Sequence, residues 1–385
     1  MEKQGHTSPG RIDELESLRG IAALCVVAFH ARIWSAWLAG QPIIANGYLM
    51  VDLFFVLSGL VIYWNYADRV KNTDDILKFL VLRIGRLYPV HLTMLGVFIA
   101  IEFAKYWVSQ RLGIASTNSA PFVQNSWAAL LQQLLLVHAI GPTGNESTFN
   151  GPSWSISVEF WLYIVFILVV LAVRRHRGAV MLLMAMAAAT MLASKSTYGF
   201  DSLLRGITGF FAGCGLAAWL LTGTTGSRLP SWLAWPAATA LVVFLATKRD
   251  AALDLLTVPV VAALIAGLVA NASQAPIFNR LLRHPALLWL GKISYSLYMT
   301  HALVIWVFSQ VFRLLMRRPQ TLVDGMLSPQ LSGLESTIAI GMAILCSLAL
   351  ATLMHRYVED PLRLRSRALA QTLGQTGVLS TSEPT

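Results

Sequence analysis

The sequence predicts an all-α protein that crosses a membrane about ten times. Hydrophobic residues make up 56% of the 385 residues and charged residues only 12%, whereas a soluble domain carries about 25% charged residues. The mean hydropathy is +0.62, and the apolar residues come in long blocks, near the ~20 residues that one helical span needs. This composition excludes a soluble enzyme, a disordered chain and a disulfide-rich secreted module.

Ten apolar blocks are interpreted as membrane-spanning helices. They lie at about residues 17–38, 47–66, 87–108, 154–173, 179–194, 202–221, 231–247, 252–270, 289–312 and 333–355. An eleventh block, at 127–140, is short and amphipathic, which favours a re-entrant or interfacial helix. The predicted organisation is an N-terminal segment over 1–16, a membrane domain over 17–365 and a polar cytoplasmic tail over 366–385 that we expect to be disordered.

The distribution of Lys and Arg predicts that both termini are cytoplasmic. With the N-terminus inside, the inner segments carry 17 of these residues and the outer segments 8, and such an excess marks the cytoplasmic face. Topology therefore accounts for the formal charge of +10, and we expect no nucleic-acid partner. We expect no metal either, because the cysteines lie in apolar blocks and the loop histidines show no ligand spacing.

Charged side chains inside a span cost about 3 kcal/mol or more, so those that are present usually have a purpose. Arg19 and His30 are eleven residues apart, which is close to three helical turns and places both on one face, about 16 Å apart along the axis. Arg19 is predicted at the inner end of its span and His30 in the outer half. The alternative is an Arg that sets topology and a His that bonds to a neighbouring helix.

Two acidic residues are predicted at the depth of His30. Asp52 lies in the outer part of the second span and Glu159 in the outer part of the fourth. A carboxylate at this depth could orient the imidazole and raise its basicity. The alternatives are an Asp that caps its helix and an aromatic belt around Trp154 and Trp161, although a belt does not require a Glu.

Arginines and hydroxyl groups complete the set of candidate residues. Arg83 and Arg86 are neighbours on a helix at the inner surface, and paired guanidinium groups suit bidentate phosphate binding; a topological role is the alternative. Ser294, Tyr298 and His301 lie near one helix face close to mid-membrane, where hydrogen bonding between helices is the alternative. In combination, the candidates predict a phosphate-bearing donor held inside and base chemistry nearer the outside.

These segments resemble the acyltransferase-3 family of integral membrane acyltransferases. Its Arg-x10-His motif matches Arg19 and His30, and its Arg-x-x-Arg motif matches Arg83 and Arg86. Four further segments follow the family's order. They are DLFFVLSG at 52–59, WSISVE at 154–159 for the family's WSLSVE, SYSLYMTH at 294–301 for the family's SYSLYLxH with Met299 and Thr300 as variants, and the closing E-x-P at 359–361. The resemblance covers about residues 11–365, and the chain looks like the form without a C-terminal hydrolase-like domain.

The resemblance implies an O-acyltransferase of the bacterial inner membrane with no permanently bound cofactor. Its donor would be acyl-CoA, usually acetyl-CoA, and its acceptor a hydroxyl of an exported or cell-surface glycan, such as exopolysaccharide, O-antigen or a lipid-linked sugar. Arg83 and Arg86, with Arg19, are expected to neutralise the phosphates of CoA. His30 is expected to act as the general base on the acceptor hydroxyl.

The remaining candidates are expected to assist His30 or the substrate. Asp52 or Glu159 would orient His30 or stabilise its protonated form. Four weaker candidates could bind the substrate or the oxyanion, namely Ser58, Ser157, Tyr298 and His301. A covalent acyl-enzyme stays open as the alternative to direct transfer. The alternative functions are a transporter or flippase for a lipid-linked sugar or an organic anion, and a structural or sensor protein that binds no CoA.

Overall fold

The structure is a computed structural model that describes residues 12–114, 116, 118–221, 229–230, 232–270, 277–323 and 325–379. Over these residues the chain is almost entirely helical, as the sequence predicts. Its α-helices are α1 (Asp13–Ala31), α2 (Ala36–Ala39), α3 (Pro42–Ala45), α4 (Met50–Tyr66), α5 (Thr73–Leu112), α6 (Trp127–Leu134), α7 (Trp154–Ala172), α8 (Arg177–Ala193), α9 (Asp201–Leu221), α10 (Ala234–Thr247), α11 (Thr257–Ala270), α12 (Ile277–Leu282), α13 (Pro285–Gln310), α14 (Gly333–Met354) and α15 (Asp360–Leu379).

Eight helical segments of the described residues are long and apolar enough to cross a membrane. They are Asp13–Trp34, Pro42–Tyr66, Thr73–Leu112, Gly151–Ala172, Asp201–Leu221, Ala251–Ala270, Pro285–Leu315 and Gly333–Leu373, and each overlaps one predicted span. The other two predicted spans correspond to the shorter apolar helices α8 and α10. The multi-pass helical fold is therefore confirmed, whereas the number of ten spans and the cytoplasmic termini stay predictions.

Glycines let helix backbones touch at two crossings, one between α1 and α13 and one between α4 and α9. A Cβ atom on Gly20 of α1 would lie 2.7 Å from the backbone nitrogen of Gly291 in α13. A Cβ atom on Gly59 of α4 would overlap the carbonyl oxygen of Phe210 in α9. Small residues are the usual means by which membrane helices approach closely, and these crossings fix the helices that surround the interior of the bundle.

Helix α5 extends well beyond the predicted span at 87–108. It begins at Thr73, where the side chain of Asn72 caps it by accepting a hydrogen bond from the backbone nitrogen of Asp75. It ends at Leu112, and Gly113 follows with a φ of +63°. The apolar pattern marks the part of a helix that is buried in lipid, whereas caps and a left-handed glycine mark where the helix itself begins and ends.

Helix α15 continues through residues 366–379, within the tail that the sequence predicts to be disordered. This stretch contains three Leu, two Ala and two Gln, which are good helix formers, and α15 packs along α5. The structure describes helix here, and the expected disorder of the tail stays a prediction. Residues 380–385 of the predicted tail lie outside the described residues.

Two further elements lie between the long helices. A short antiparallel hairpin, β1 (Gln320–Val323) and β2 (Met326–Pro329), follows α13 and was not expected in an all-α chain. The apolar block at 127–140 is helical only over the eight residues of α6. The interfacial or re-entrant position of that block stays a prediction.

Candidate active site

A cavity of 660 Å³ lies among helices α1, α4, α5, α13 and α15. It is lined by the beginnings of α1 and α13 and by the end of α4, which the Lys and Arg distribution assigns to the cytoplasmic side. Its basic side chains are Arg19, Arg86, Lys292, Arg363 and Arg367. Its acidic side chains are Glu16, Glu359 and Asp360. Basic residues are thus in excess, and the cavity favours an anionic ligand.

Several of these cations are not neutralised within the protein. Arg19, Arg86, Lys292 and Arg367 make no hydrogen bond or ion pair with another described residue. Arg363, by contrast, donates a 2.6 Å hydrogen bond to the carboxylate of Asp360. A guanidinium that is partly withdrawn from water is costly unless an anion binds it. Arg19 and Arg86, which are both partly buried, are therefore the strongest candidates for binding a negatively charged ligand.

A second cavity, of 50 Å³, continues the first one deeper into the bundle. The lining of the large cavity on α4 covers residues 57–65, and that of the small cavity covers residues 51–55. On α13, likewise, residues 291–295 line the large cavity and residues 294–298 line the small one. The two cavities share four side chains, Arg19, Arg86, Ser294 and Tyr295. They form one passage that leads away from the predicted cytoplasmic end.

His30 and His301 form a pair about one helical turn beyond this passage. The Nδ1 atom of His30 lies 3.0 Å from the carbonyl oxygen of Val26 and 3.2 Å from the Nε2 atom of His301. The Nδ1 atom of His301 lies 3.2 Å from the carbonyl oxygen of Leu297. Because a carbonyl oxygen can only accept, each Nδ1 carries the proton. His301 then accepts from His30, and the Nε2 atom of His30 has a lone pair free to accept a proton.

Asp52 forms an ion pair with Arg205. Its carboxylate accepts hydrogen bonds from Nε and Nη2 of Arg205, at 2.7 and 2.9 Å. A buried carboxylate needs a cation, and the two-pronged guanidinium of Arg205 satisfies both oxygens at once. In the structure the ring of His30 is hydrogen-bonded to His301, and the expectation that Asp52 orients His30 stays a prediction.

Glu159 forms its hydrogen bonds with Ser58 and Tyr163. Its Oε1 atom accepts a 2.5 Å hydrogen bond from Oγ of Ser58 and another from the hydroxyl of Tyr163. Glu159 lines the small cavity, so its carboxylate faces the end of the passage. The hydroxyl proton of Ser58 is used to hold Glu159, and its expected contact with the substrate or the oxyanion stays a prediction.

Tyr298 is the candidate oxyanion donor that lines the small cavity. Oγ of Ser155 donates to the phenolic oxygen of Tyr298 at 2.9 Å, which leaves the phenolic proton free for an oxygen atom in the cavity. The ring centroids of Tyr298 and His301 lie 6.0 Å apart, so Tyr298 stands between the cavity and the histidine pair. Ser157, in contrast, donates to the carbonyl oxygen of Leu136 at 2.6 Å and holds the loop before α7; its expected contact with substrate stays a prediction.

Arg83 and Arg86 point to different places although they are close in sequence. Arg86 lines both cavities, whereas Arg83 is not among the described residues that line either one. The Nη2 atom of Arg83 donates to the hydroxyl of Tyr66 at 3.0 Å, and its guanidinium lies over the rings of Tyr66 and Phe79. Residues three apart on a helix differ in direction by about 60°, so the two guanidinium groups have different surroundings; phosphate binding by the pair stays a prediction.

A network of charged residues on the predicted outer side is not evident from the sequence. The sequence assigns no partner to Arg205, although a charged residue in a span requires one and Asp52 is predicted at a similar depth. Lys248 is only 6% exposed, and its Nζ atom bonds to Asp254 at 2.6 Å and to Tyr48 at 3.1 Å. Burial alone lowers the pKa of Lys248, but these two hydrogen bonds raise it above its ordinary value.

Glu359 is a second residue for which the sequence predicts no role, although the closing E-x-P motif contains it. It belongs to a π-helical turn, His355–Glu359, between α14 and α15. Its Oε2 atom accepts a 2.7 Å hydrogen bond from Ser296 and lies 3.0 Å from Nδ1 of His355. These contacts join α13 to the start of α15 at the wall of the large cavity.

A family model described as an acyltransferase domain, that of the acyltransferase-3 family, matches residues 12–352. The chain belongs to this family. The match confirms the resemblance that the sequence motifs indicate. Together with the apolar helices, it supports a multi-pass membrane protein of this family.

Three curated relatives are similar to parts of this acyltransferase. Acyltransferase MdmB of Streptomyces mycarofaciens is 30% identical over 163 residues, which cover 40% of this chain and 38% of the relative. YrhL of Bacillus subtilis strain 168, named for peptidoglycan O-acetyl transfer, is 26% identical over 327 residues, 76% of this chain and 48% of the relative. O-acetyltransferase OatA of Staphylococcus aureus is 28% identical over 169 residues, 42% of this chain and 25% of the relative.

The matched stretch thus spans less than half the length of each of these three relatives. No solved structure matches the chain. Acyl transfer by this chain, its donor, its acceptor and its catalytic residues are therefore matters for a proposal.

Proposed function

We propose that the protein transfers an acyl group, in the simplest case acetyl, from cytoplasmic acyl-CoA to a hydroxyl of an exported or cell-surface glycan. The glycan would reach the site from the opposite face of the bacterial inner membrane. The observation that supports this proposal is the passage that begins at unpaired cations and stops about one turn short of His30 and His301. Unpaired cations near the cytoplasmic end and hydroxyl and carboxylate groups at the deep end suit a phosphate-bearing donor substrate, which favours acyl transfer over transport.

Donor binding follows from the charges along the passage. The large cavity of 660 Å³ falls within the roughly 300–1,000 Å³ of small-molecule sites. Arg19 and Arg86, at its deep end, would bind the pyrophosphate of CoA. Lys292, Arg363 and Arg367, nearer its mouth, would surround the phosphate on the ribose. The pantetheine arm would then place the thioester in the small cavity.

The transfer step uses the histidine pair and Tyr298. As the acceptor oxygen bonds to the thioester carbon, Nε2 of His30 takes the proton of that hydroxyl. The phenolic proton of Tyr298 binds the carbonyl oxygen, which becomes negative in the tetrahedral intermediate. His301 accepts the Nδ1–H bond of His30 and stabilises the imidazolium. The carbon–sulfur bond then breaks, and the CoA thiolate takes the proton from His30.

A covalent route is the competing mechanism. In this route a histidine or a serine of the site carries the acyl group. An acyl group on an enzyme side chain would be passed to the acceptor in a second step. Labelled protein that accumulates with acetyl-labelled acetyl-CoA alone, before any acceptor is added, would favour this route.

The proposed function is tested by radiolabel transfer. Purified protein in liposomes receives acetyl-CoA labelled in the acetyl group and a crude extract of polysaccharide and glycolipid. We expect base-labile label in the glycan, and we expect His30→Ala to lose it while keeping the thermal stabilisation by acetyl-CoA, because general base help is worth about 10²–10⁴-fold in rate. Absence of both CoA release and a thermal shift in the unaltered protein would favour another donor or the transporter.

A further inference from the structure

Polar and apolar side chains both line the small cavity. Ser155, Glu159 and Tyr298 supply hydroxyl and carboxylate groups. The apolar lining residues are Val51, Phe54, Phe55 and Ile156, and together they are called the apolar wall. Phe54 packs edge-on against the ring of Tyr298, with centroids 5.7 Å apart. The apolar wall is thus fixed next to the candidate oxyanion donor.

The apolar wall lies at the far end of the passage. Along α4, residues 51–55 line the small cavity and are farther from the predicted cytoplasmic mouth than residues 57–65 of the large cavity. Val51, Phe55 and Ile156 are 5%, 2% and 4% exposed. A substrate that enters from the large cavity therefore meets this wall with its leading end.

The volume of the small cavity limits how large that leading end can be. The cavity has 50 Å³, and one water-sized group needs roughly 10–15 Å³ of such space. About three to five non-hydrogen atoms therefore fit. An acetyl group has three such atoms and a propionyl group four, whereas a hexanoyl group has seven and would force the packed wall to move.

We propose that Val51, Phe54, Phe55 and Ile156 set the length of the acyl group and restrict the donor to acetyl-CoA and propionyl-CoA. This inference rests on the proposed function, because it takes acyl-CoA as the donor. The carbonyl oxygen faces Tyr298 and the terminal methyl group contacts the apolar wall. Forcing extra methylene groups against a well-packed wall requires off-rotamer side chains and backbone shifts, so the wall discriminates by size.

Ile156→Ala is the variant that tests the wall, and Ile167→Ala is its matched control. Both isoleucines belong to α7 and both are 4% exposed, but of these two only Ile156 lines the cavity. The two substitutions therefore remove the same atoms at equal burial. Any difference between them in acyl-length preference reports on the cavity and not on the loss of packing alone.

The experiment measures competition for the purified full chain in detergent. Labelled acetyl-CoA is displaced by unlabelled acetyl-, propionyl-, butyryl- and hexanoyl-CoA. The quantity compared is the competitor concentration that displaces half of the label. For the unaltered protein we expect this concentration to be at least about tenfold higher for hexanoyl-CoA than for acetyl-CoA. We expect this hexanoyl-to-acetyl ratio to fall to about threefold or less in Ile156→Ala and to stay unchanged in Ile167→Ala.

Three results would contradict the inference, and they separate it from the proposed function. Equal competition by acetyl- and hexanoyl-CoA in the unaltered protein overturns the length limit and leaves acyl-CoA as the donor. An equal change of the ratio in Ile156→Ala and Ile167→Ala assigns the selectivity elsewhere. Absence of any acetyl-CoA binding overturns the proposed function together with the inference.

If Ile156→Ala does not fold, two measurements still test the inference. They are the competition by acyl-CoA chain length in the unaltered protein and the same competition in the milder variant Phe54→Leu.

Discussion

The two histidines of the site have different roles. His30 has a free Nε2 atom. The Nε2 atom of His301 is 3.2 Å from Nδ1 of His30 and accepts a hydrogen bond from the N–H group at that atom. His301 is therefore a positioning residue, which holds the ring of His30 and stabilises it when it is protonated. It does for His30 what a carboxylate does in many other acid–base pairs.

This role predicts a graded response at position 301. His301→Leu removes the acceptor, and we expect kcat to fall about 10–100-fold while KM for acetyl-CoA stays within about twofold. His301→Gln offers an amide oxygen to the same N–H group, and we expect it to restore part of kcat. Initial rates of CoA release measure both variants. Equal losses in the Leu and Gln variants would show that His301 contributes packing and not a hydrogen bond.

The two arginines of the Arg-x-x-Arg motif give a second prediction at the scale of single residues. Arg86 lines the passage without an ion-pair partner, whereas Arg83 is bound to Tyr66. Hydrogen bonds to charged groups are worth about 1.5–3 kcal/mol, so we expect Arg86→Ala to weaken acetyl-CoA binding by about 10–100-fold. Calorimetric titration of the purified protein measures this loss.

Arg83→Ala is the matched control for Arg86→Ala, since it removes the same side chain three residues away on the same helix. We expect it to lower the thermal stability of the protein, because the hydroxyl of Tyr66 and the surrounding rings lose their cation. We expect acetyl-CoA affinity to change by less than about threefold. A larger loss of affinity in Arg83→Ala than in Arg86→Ala would reverse the assignment.

At the scale of the helices, the glycine at the α4–α9 crossing predicts a loss of stability. A methyl group at Gly59 would overlap the carbonyl oxygen of Phe210, whereas one at Gly96 of α5 would meet no atom within 4 Å. We expect Gly59→Ala to destabilise the bundle by about 1–3 kcal/mol. We expect Gly96→Ala to be neutral or slightly stabilising, because Ala favours a helix by about 1 kcal/mol over Gly.

Thermal unfolding of the two glycine variants in detergent checks this pair of predictions. The two substitutions add the same methyl group, so a difference in midpoint temperature isolates the helix crossing. A Gly59→Ala protein as stable as the unaltered one would mean that α4 and α9 are farther apart than the structure has them.

Hydropathy locates the helices better than it locates their ends. The predicted span at 154–173 matches α7 within one residue, because a helix surrounded by lipid is apolar along the buried length. The predicted span at 87–108 covers only part of α5, since its first turns are polar and are fixed by the cap at Asn72. The hairpin of β1 and β2 was missed because four-residue strands leave no periodicity to detect.

The identity of the candidate residues could be predicted from the sequence, but their partners could not. The depth of Asp52 in its span follows from counting residues, whereas its pairing with Arg205 depends on how α4 and α9 are rotated. The same rotation separates Arg86 from Arg83 and brings His301 next to His30. Helix rotation is set by packing, and the sequence pattern of one chain contains little information about it.

For the whole molecule, the proposed function requires that the donor cavity and the histidine pair face opposite sides of the membrane. The free cations lie at the beginnings of α1 and α13, on α5 and on α15. His30 lies about three turns beyond Arg19 on α1, and His301 lies about two and a half turns beyond Lys292 on α13. Donor and acceptor can then meet near the middle of the bundle without either substrate crossing it.

This arrangement predicts the sidedness of labelling by a membrane-impermeant maleimide. The background is a variant with alanine in place of Cys25, Cys214 and Cys346 that still transfers acetyl groups. Lys292→Cys places a thiol at the wall of the donor cavity, and Ser147→Cys places one in the exposed loop before α7. We expect Ser147→Cys to react in spheroplasts, and Lys292→Cys to react only in inside-out vesicles, where acetyl-CoA should protect it. Reaction of Lys292→Cys with the maleimide from outside would contradict the cytoplasmic donor site. A reaction in inside-out vesicles that acetyl-CoA does not slow would show that the donor does not bind in this cavity.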